Sequence, residues 1–151
     1  MNGEVSFFEF PILFSEYNTI HPEQFDDSDW IKMNPPKEIK VEGKTLDSLL
    51  KTLNISPDFI KIDVEGAEKK VITGMLNTLR NNPNLTIAME YLEDDRDNSS
   101  HVEATKILLE ENYQSYLINA EGGLALINFN EISAYLKKHS MESDNIVFKK
   151  R

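Results

Sequence analysis

The sequence predicts an α/β fold on a mostly parallel sheet. Three observations lead there. Residues 58–64 and 85–89 are short, mostly apolar runs of strand length, the pattern of strands buried on both faces. Between and after them lie segments with helical apolar spacing. The resulting order, strand–helix–strand–helix–strand, favours parallel strands joined by right-handed crossovers. A length of 151 residues fits one domain, and 40% apolar residues with a mean hydropathy of −0.44 fit a water-soluble globule.

The elements follow in order. Residues 5–10 are aromatic-rich and closed by Pro11, which predicts a strand. Residues 15–36 carry Pro22, Pro35, Pro36 and the acidic run 26–29; they read as a long surface excursion pinned by Phe25 and Trp30. Ile39 and Val41 alternate within a strand over 38–42 that Gly43 ends. Thr45 is a good N-cap, and Leu46, Leu49, Leu50 and Leu53 fall on one face of the helix it starts. After the 58–64 strand, a helix is expected over 67–79, with Val71, Ile72, Met75, Leu76 and Leu79 inward and Gly74 at a close approach. The 85–89 strand ends at Glu90, and an acidic loop follows over 93–98. Ser100 and Glu103 form a capping-box pattern for a helix to about 111, on which His101 is an exposed first-turn residue. Strands over 113–118 and 124–129 flank a turn at 119–123. Asn130 caps a helix carrying Ile132, Tyr135 and Leu136, and 145–148 is a last strand.

Composition removes several chemistries. The net charge of −10, from 26 acidic against 16 basic residues, opposes phosphate backbones and anionic membranes, so neither nucleic acid nor membrane is an expected partner. With no cysteine there is no disulfide, thiolate nucleophile or Cys-bound zinc. His21, His101 and His139 are scattered, so no His-based metal site is expected. No leader-like apolar segment and no apolar run of membrane-spanning length is visible, and a cytoplasmic location is the expectation.

The sharpest chemistry lies at the junction Asp63-Val64-Glu65-Gly66-Ala67-Glu68. Asp63 closes a strand, Glu65 and Gly66 make the turn, and Glu68 enters the first helical turn. Two readings of these acids stand side by side. Acids near a helix start are favoured by free N–H groups and the helix dipole, which accounts well for Glu68. An acid closing an apolar strand at the site-forming edge of an open sheet favours chemistry, which accounts better for Asp63. Glu90 closes the other strand. Asp63, Glu65 and Glu90 also allow a divalent-metal hydrolase as a rival reading, since hard cations take carboxylate oxygens; the reading preferred here has no metal site.

The pair Thr45-Leu46-Asp47-Ser48-Leu49-Leu50 and Phe59-Ile60-Lys61-Ile62-Asp63-Val64-Glu65-Gly66-Ala67-Glu68, followed by a strand closed by Glu90, resembles FkbM-type S-adenosylmethionine-dependent methyltransferases. The resemblance is strongest over 45–90 and weaker to the final strand. It implies a Rossmann-like class I methyltransferase fold with an antiparallel last strand, in which the two buried-type strands are the fourth and fifth. It implies methyl transfer from S-adenosylmethionine to a hydroxyl of a sugar or secondary metabolite. Carried onto this chain, Asp63 and Glu65 are the catalytic candidates, and Asp63 with Val64 lies near the cofactor. Glu90, Tyr91 and Glu68 lie toward a small-molecule or glycan acceptor. Asp63 is the first candidate to take the acceptor's proton, with Glu65 the alternative.

The family's glycine-rich loop and second-strand acid are not found: none of the six glycines forms G-x-G. The fold is therefore expected to be incomplete, one partial domain over 1–151 with strands and an excursion over 1–44 and an α/β core over 45–151. Its exposed strand edge would favour self-association or a partner supplying the missing half. The alternative to an enzyme is a non-catalytic remnant or interaction module completed by another chain.

Overall fold

The computed structural model describes residues 2–22, 29–96 and 98–151; Phe25, residues 26–28 of the acidic run and Asp97 lie outside them. Two sheets are present among the described residues. The first is a hairpin-like pair, β1 (Gly3–Glu9) and β2 (Lys37–Gly43), antiparallel from Gly3↔Gly43 to Glu9↔Lys37. The excursion between them includes a 3₁₀ segment (Ile12–Tyr17) and a short helix, α1 (Asp29–Met33). As expected, Trp30 gathers it: the rings of Phe10, Phe14 and Tyr17 sit 5.5, 5.2 and 4.7 Å from the Trp30 ring. Thr19 folds back to bridge Phe8 through two backbone hydrogen bonds of 2.9 and 3.2 Å.

The second sheet has the order β3-β4-β7-β5-β6, formed by β3 (Phe59–Ile62), β4 (Thr86–Leu92), β5 (Tyr113–Ile118), β6 (Leu124–Ile127) and β7 (Ser143–Lys150). The expectation of a mostly parallel sheet does not hold. Only β3 and β4 pair in parallel; β4–β7, β7–β5 and β5–β6 are antiparallel. The cause is the position of β7. Its apolar run Ile146-Val147-Phe148 is buried on both faces, as a central strand must be, and it wedges between β4 and β5. Thus β4 and β5 run the same way without touching as neighbours. The antiparallel last strand matches expectation, but it stands inside the sheet.

Register sorts the residues onto two faces. Ile87, Met89 and Tyr91 share one face with Ile146 and Phe148, and this face belongs to the hydrophobic core. Ile62, Tyr113 and Ile127 join them from β3, β5 and β6, and Leu85 from just ahead of β4; the helical side of the core is Ile72, Met75 and Leu79 from the segment 68–81, Ala104 and Leu108 from α5 (Ser99–Glu110), and Ile132 and Leu136 from α6 (Ile132–Lys138). The opposite face carries Ala88 and Val147 at its centre and Phe59, Ile118, Leu124 and Leu126 exposed around them.

Thr45 caps α2 (Leu46–Leu53) as expected, its Oγ1 accepting from Ser48 N at 3.2 Å. The helix expected over 67–79 is broken. It forms α3 (Glu68–Thr73) and α4 (Leu76–Asn81), with Met75 at φ −128°, ψ 18° between them. Asp47 is the reason. Its N–H donates to the Gly74 carbonyl at 3.0 Å, and its carboxylate accepts from Asn77 N (3.0 Å), Asn77 Nδ2 (3.1 Å), Thr78 N (2.8 Å) and Thr78 Oγ1 (2.7 Å). A side chain from α2 thus caps the orphan donors of α4. A Cβ at Gly74 would lie 3.2 Å from the Lys70 carbonyl and 3.5 Å from Thr45 Cβ, so the predicted close approach is present.

Two caps differ from expectation. Ser100 and Glu103 do not form a capping box. Ser100 Oγ accepts from Lys69 N at 3.2 Å and Glu103 pairs with Lys69 Nζ at 2.5 Å, so both bind α3 to α5. The orphan donors of α3 compete for Ser100 and win. At α6 the capping oxygen comes from Asn128, which accepts from Asn130 N at 3.0 Å, and a 3₁₀ turn (Phe129–Glu131) precedes the helix.

Candidate functional site

The parallel pair β3–β4 builds the site by register. Ile62 stands opposite Met89, so the next residues beyond, Asp63 and Glu90, arrive side by side at the carboxyl ends of the two strands. By alternation Asp63 and Glu90 belong to the face of Lys61 and Ala88, away from the core face. Across β7, Glu90 is paired with Asn145. This is the edge where open α/β sheets place their ligands.

Glu65 reaches the same point by another route. The turn after Asp63 puts two consecutive residues in the left-handed region, Glu65 at φ 46° and Gly66 at φ 88°. For glycine that region is free; for glutamate it stores strain, and such strain gathers at functional sites. One carboxylate oxygen from each of Asp63, Glu65 and Glu90 lies within 4.8 Å of the other two. Asp63 is exposed, whereas Glu65 and Glu90 are half-buried. Lys61 Nζ donates to Asp63 Oδ2 at 3.1 Å and offsets part of the mutual repulsion. Three acids so close can accept protons, hydrogen-bond a polyhydroxyl compound, or take a hard divalent cation. They are the same three residues that sequence spacing offered for the hydrolase reading.

The remaining sequence candidates sit elsewhere. Val64 is half-buried against the core, and its carbonyl accepts from Ala67 N at 3.4 Å. Tyr91 and Glu68, expected to face the acceptor, are both buried, at 2% and 1% exposure, and neither opens onto solvent. Tyr91 lies on the core face of β4, one residue out of phase with Glu90, and burial pushes its phenol pKa up. Glu68 turns inward: Oε1 accepts from Gly66 N at 3.2 Å and lies 3.4 Å from His101 Nε2. His101, expected to be exposed, is 1% exposed, and the ring of Tyr91 meets it edge-on at 6.0 Å. The polar character of a first-turn histidine gave no sign of a buried acidic partner 33 positions earlier.

Sequence reasoning missed Thr19. It is 2% exposed, and its Oγ1 donates to the Glu65 carbonyl at 3.0 Å while accepting from His21 N at 2.9 Å. The N-terminal excursion is thereby tied to the acidic turn.

Residues 2–115 match the family model described as the methyltransferase FkbM domain. The chain belongs to the FkbM methyltransferase family. The match begins at the start of β1, so the N-terminal pair of strands is part of the FkbM domain, and it ends within β5. No curated protein and no solved structure matches the chain. FkbM membership suggests methyltransferase activity and a methyl-donor cofactor. No helix among the described residues is long and apolar enough to cross a membrane.

Proposed function

We propose that the chain carries the acceptor side of an FkbM-type, S-adenosylmethionine-dependent methyltransferase site, acting on a hydroxyl of a sugar or secondary metabolite. The convergence of Asp63, Glu65 and Glu90 at the carboxyl ends of β3 and β4 is the observation that carries this reading. The strand order supports it as well, with β3, β4 and β5 running one way and β7 inserted against them, which suits the final strands of a Rossmann-like class I methyltransferase.

The residues present fit one end of the cofactor. An acidic rim complements the cationic sulfonium and amino groups, while none of the six glycines supplies the glycine-rich cradle for the rest. Bound there, S-adenosylmethionine supplies an already activated methyl group. The chain's own part is positioning and proton removal. In this reading the Val64 backbone, next to Asp63, would border the cofactor while its side chain packs on the core, and Glu90 would hydrogen-bond the acceptor. Asp63, the most open of the three acids, would take the proton of the acceptor hydroxyl, with Glu65 beside it as the alternative base.

Calorimetric titration of S-adenosylmethionine tests the cofactor, on this chain and on the longest open reading frame that contains it. Binding followed by methyl transfer to a hydroxyl acceptor supports the reading. Asp63→Asn then loses turnover by at least about a hundredfold, the usual size of a general-base contribution, with the fold intact. No binding by either protein refutes it.

A second reading is favoured by the open sheet face and the free edge of β3. On that face Phe59 and Leu126 are 58% and 64% exposed, and parallel strands normally have both faces covered. Here the chain is a non-catalytic or half module completed by a second copy or another chain. A strictly monomeric state by light scattering across a wide concentration range, with slow amide exchange throughout β3, counts against it.

A further inference from the structure

The peptide unit joining Glu65 to Gly66 is held at both of its polar ends. Its carbonyl accepts from Thr19 Oγ1 at 3.0 Å, and its N–H donates to Glu68 Oε1 at 3.2 Å. Both holding side chains are buried, Thr19 at 2% and Glu68 at 1% exposure, and they come from opposite sides of the turn. His101, projecting from α5, stands 3.4 Å behind the same Glu68 oxygen. Glu68 Oε2 is buried with no hydrogen-bond partner among the described residues. Burying a carboxylate with an unmet oxygen is costly, and a glutamine or an apolar residue would fill the space at lower cost. Helix capping accounts for little of this, because the bonded N–H belongs to Gly66, two residues ahead of the first residue of α3.

The geometry gives the carboxylate a task. A peptide between two left-handed residues can rotate about its flanking bonds, and its rotation would swing Glu65 away from Asp63 and Glu90. We infer that Glu68, backed by His101, and Thr19 are positioning residues that lock the Glu65–Gly66 peptide and so hold the Glu65 carboxylate in the three-acid cluster. The lock itself is a property of the fold, and its role in methyl transfer rests on the function proposed above. None of the three touches the reacting atoms; they act through Glu65. The assignment also gives a task to the third acid of the junction, Glu68 at the sixth position of Asp63-Val64-Glu65-Gly66-Ala67-Glu68.

Amide hydrogen exchange resolved by NMR tests the lock without a cofactor. In Glu68→Met the Gly66 amide exchanges about tenfold faster or more, the loss expected for one hydrogen bond to a charged group, while the amides of Ile87 and Leu108 keep their protection. Glu68→Gln keeps an acceptor oxygen and restores most of the protection. Thr19→Val, which removes only the hydroxyl, speeds Gly66 exchange in the same direction and serves alone if Glu68→Met does not fold. Unchanged Gly66 exchange in the folded variants overturns the lock. A failure of S-adenosylmethionine binding leaves these exchange rates untouched, so the two ideas fail separately. Where methyl transfer is observed, Glu68→Met lowers kcat with KM little changed and Glu68→Gln recovers it; loss of KM alone overturns the role in catalysis.

Discussion

Replacing Asp47 with alanine removes four hydrogen bonds from the start of α4 in one step. In the native chain Asp47 Oδ1 takes both Thr78 N and Thr78 Oγ1, and Oδ2 takes both Asn77 N and Asn77 Nδ2. The helix has no other side-chain cap, because Met75 occupies its N-cap position. A lost N-cap costs about 0.5–2 kcal/mol. The upper end applies here, since the carboxylate is charged and Thr78 is half-buried, so Asp47→Ala is expected to cost about 2 kcal/mol. For a chain of this length that lowers Tm by about 4–8 °C. Asp47→Asn keeps one acceptor and the shape, and costs about half as much. The pH dependence has a definite sign. Burial opposes ionisation of Asp47, but the hydrogen bonds from Thr78 and Asn77 outweigh it and the net shift is downward. A carboxyl pKa depressed in the folded state contributes stability that is fully present above the unfolded value of about 4 and is lost as pH falls through the folded value. The gap between wild type and Asp47→Ala, read by urea melts from pH 7 to pH 3, therefore narrows below about pH 4. A Tm change under about 1 °C, the resolution of a melt, or a gap that widens on acidification, would refute the capping account.

Two other perturbations probe packing and assembly. Ile72→Ala, at a position with no exposure in the middle of the core, costs about 2–5 kcal/mol by chemical denaturation, while Ile72→Val costs about 0.5–1.5. Phe59→Lys places a charge on the exposed edge strand and the open sheet face; if association occurs through them, the mean mass by light scattering falls toward 17.4 kDa without loss of helical signal, and an unchanged mass removes that surface from consideration.

The site was more legible than the sheet. Asp63 and Glu90 stand out because acids rarely close apolar strands, and a single parallel register sets them side by side; the turn after Asp63 brings Glu65 to them. Direction and neighbourhood of the strands are less visible. Runs such as 85–89 and 145–148 look alike whether a strand is parallel or antiparallel, and nothing local says that β7 lies between β4 and β5. The same limit hid the buried pair: Glu68 and His101 each satisfy a surface pattern, and only the packing of α3 on α5 turns them inward. Thr19 lay in a proline-rich stretch without a motif, and its role depends on a carbonyl 46 positions away. Asp47 belongs to the Thr45–Leu50 motif, and its bonds to Asn77 and Thr78 fasten that motif to α4, beyond the second motif, a partnership that spacing along the chain does not announce.

The placement of β7 also bears on how the domain is made. Ser143–Lys150 is the last of the five strands of this sheet in chain order, yet both of its edges are claimed, by β4 on one side and β5 on the other. Until it arrives, β4 has a bare flank and Glu90 has no Asn145 opposite it. At about 5–20 residues per second, the 51 positions from Leu92 to Ser143 take about 3–10 s to synthesise. By the end of that interval the sheet is two unconnected halves, β3–β4 and β5–β6, which only β7 joins. Completion of this sheet therefore waits for β7, and a chain interrupted before Ser143 would leave the sheet split through its centre.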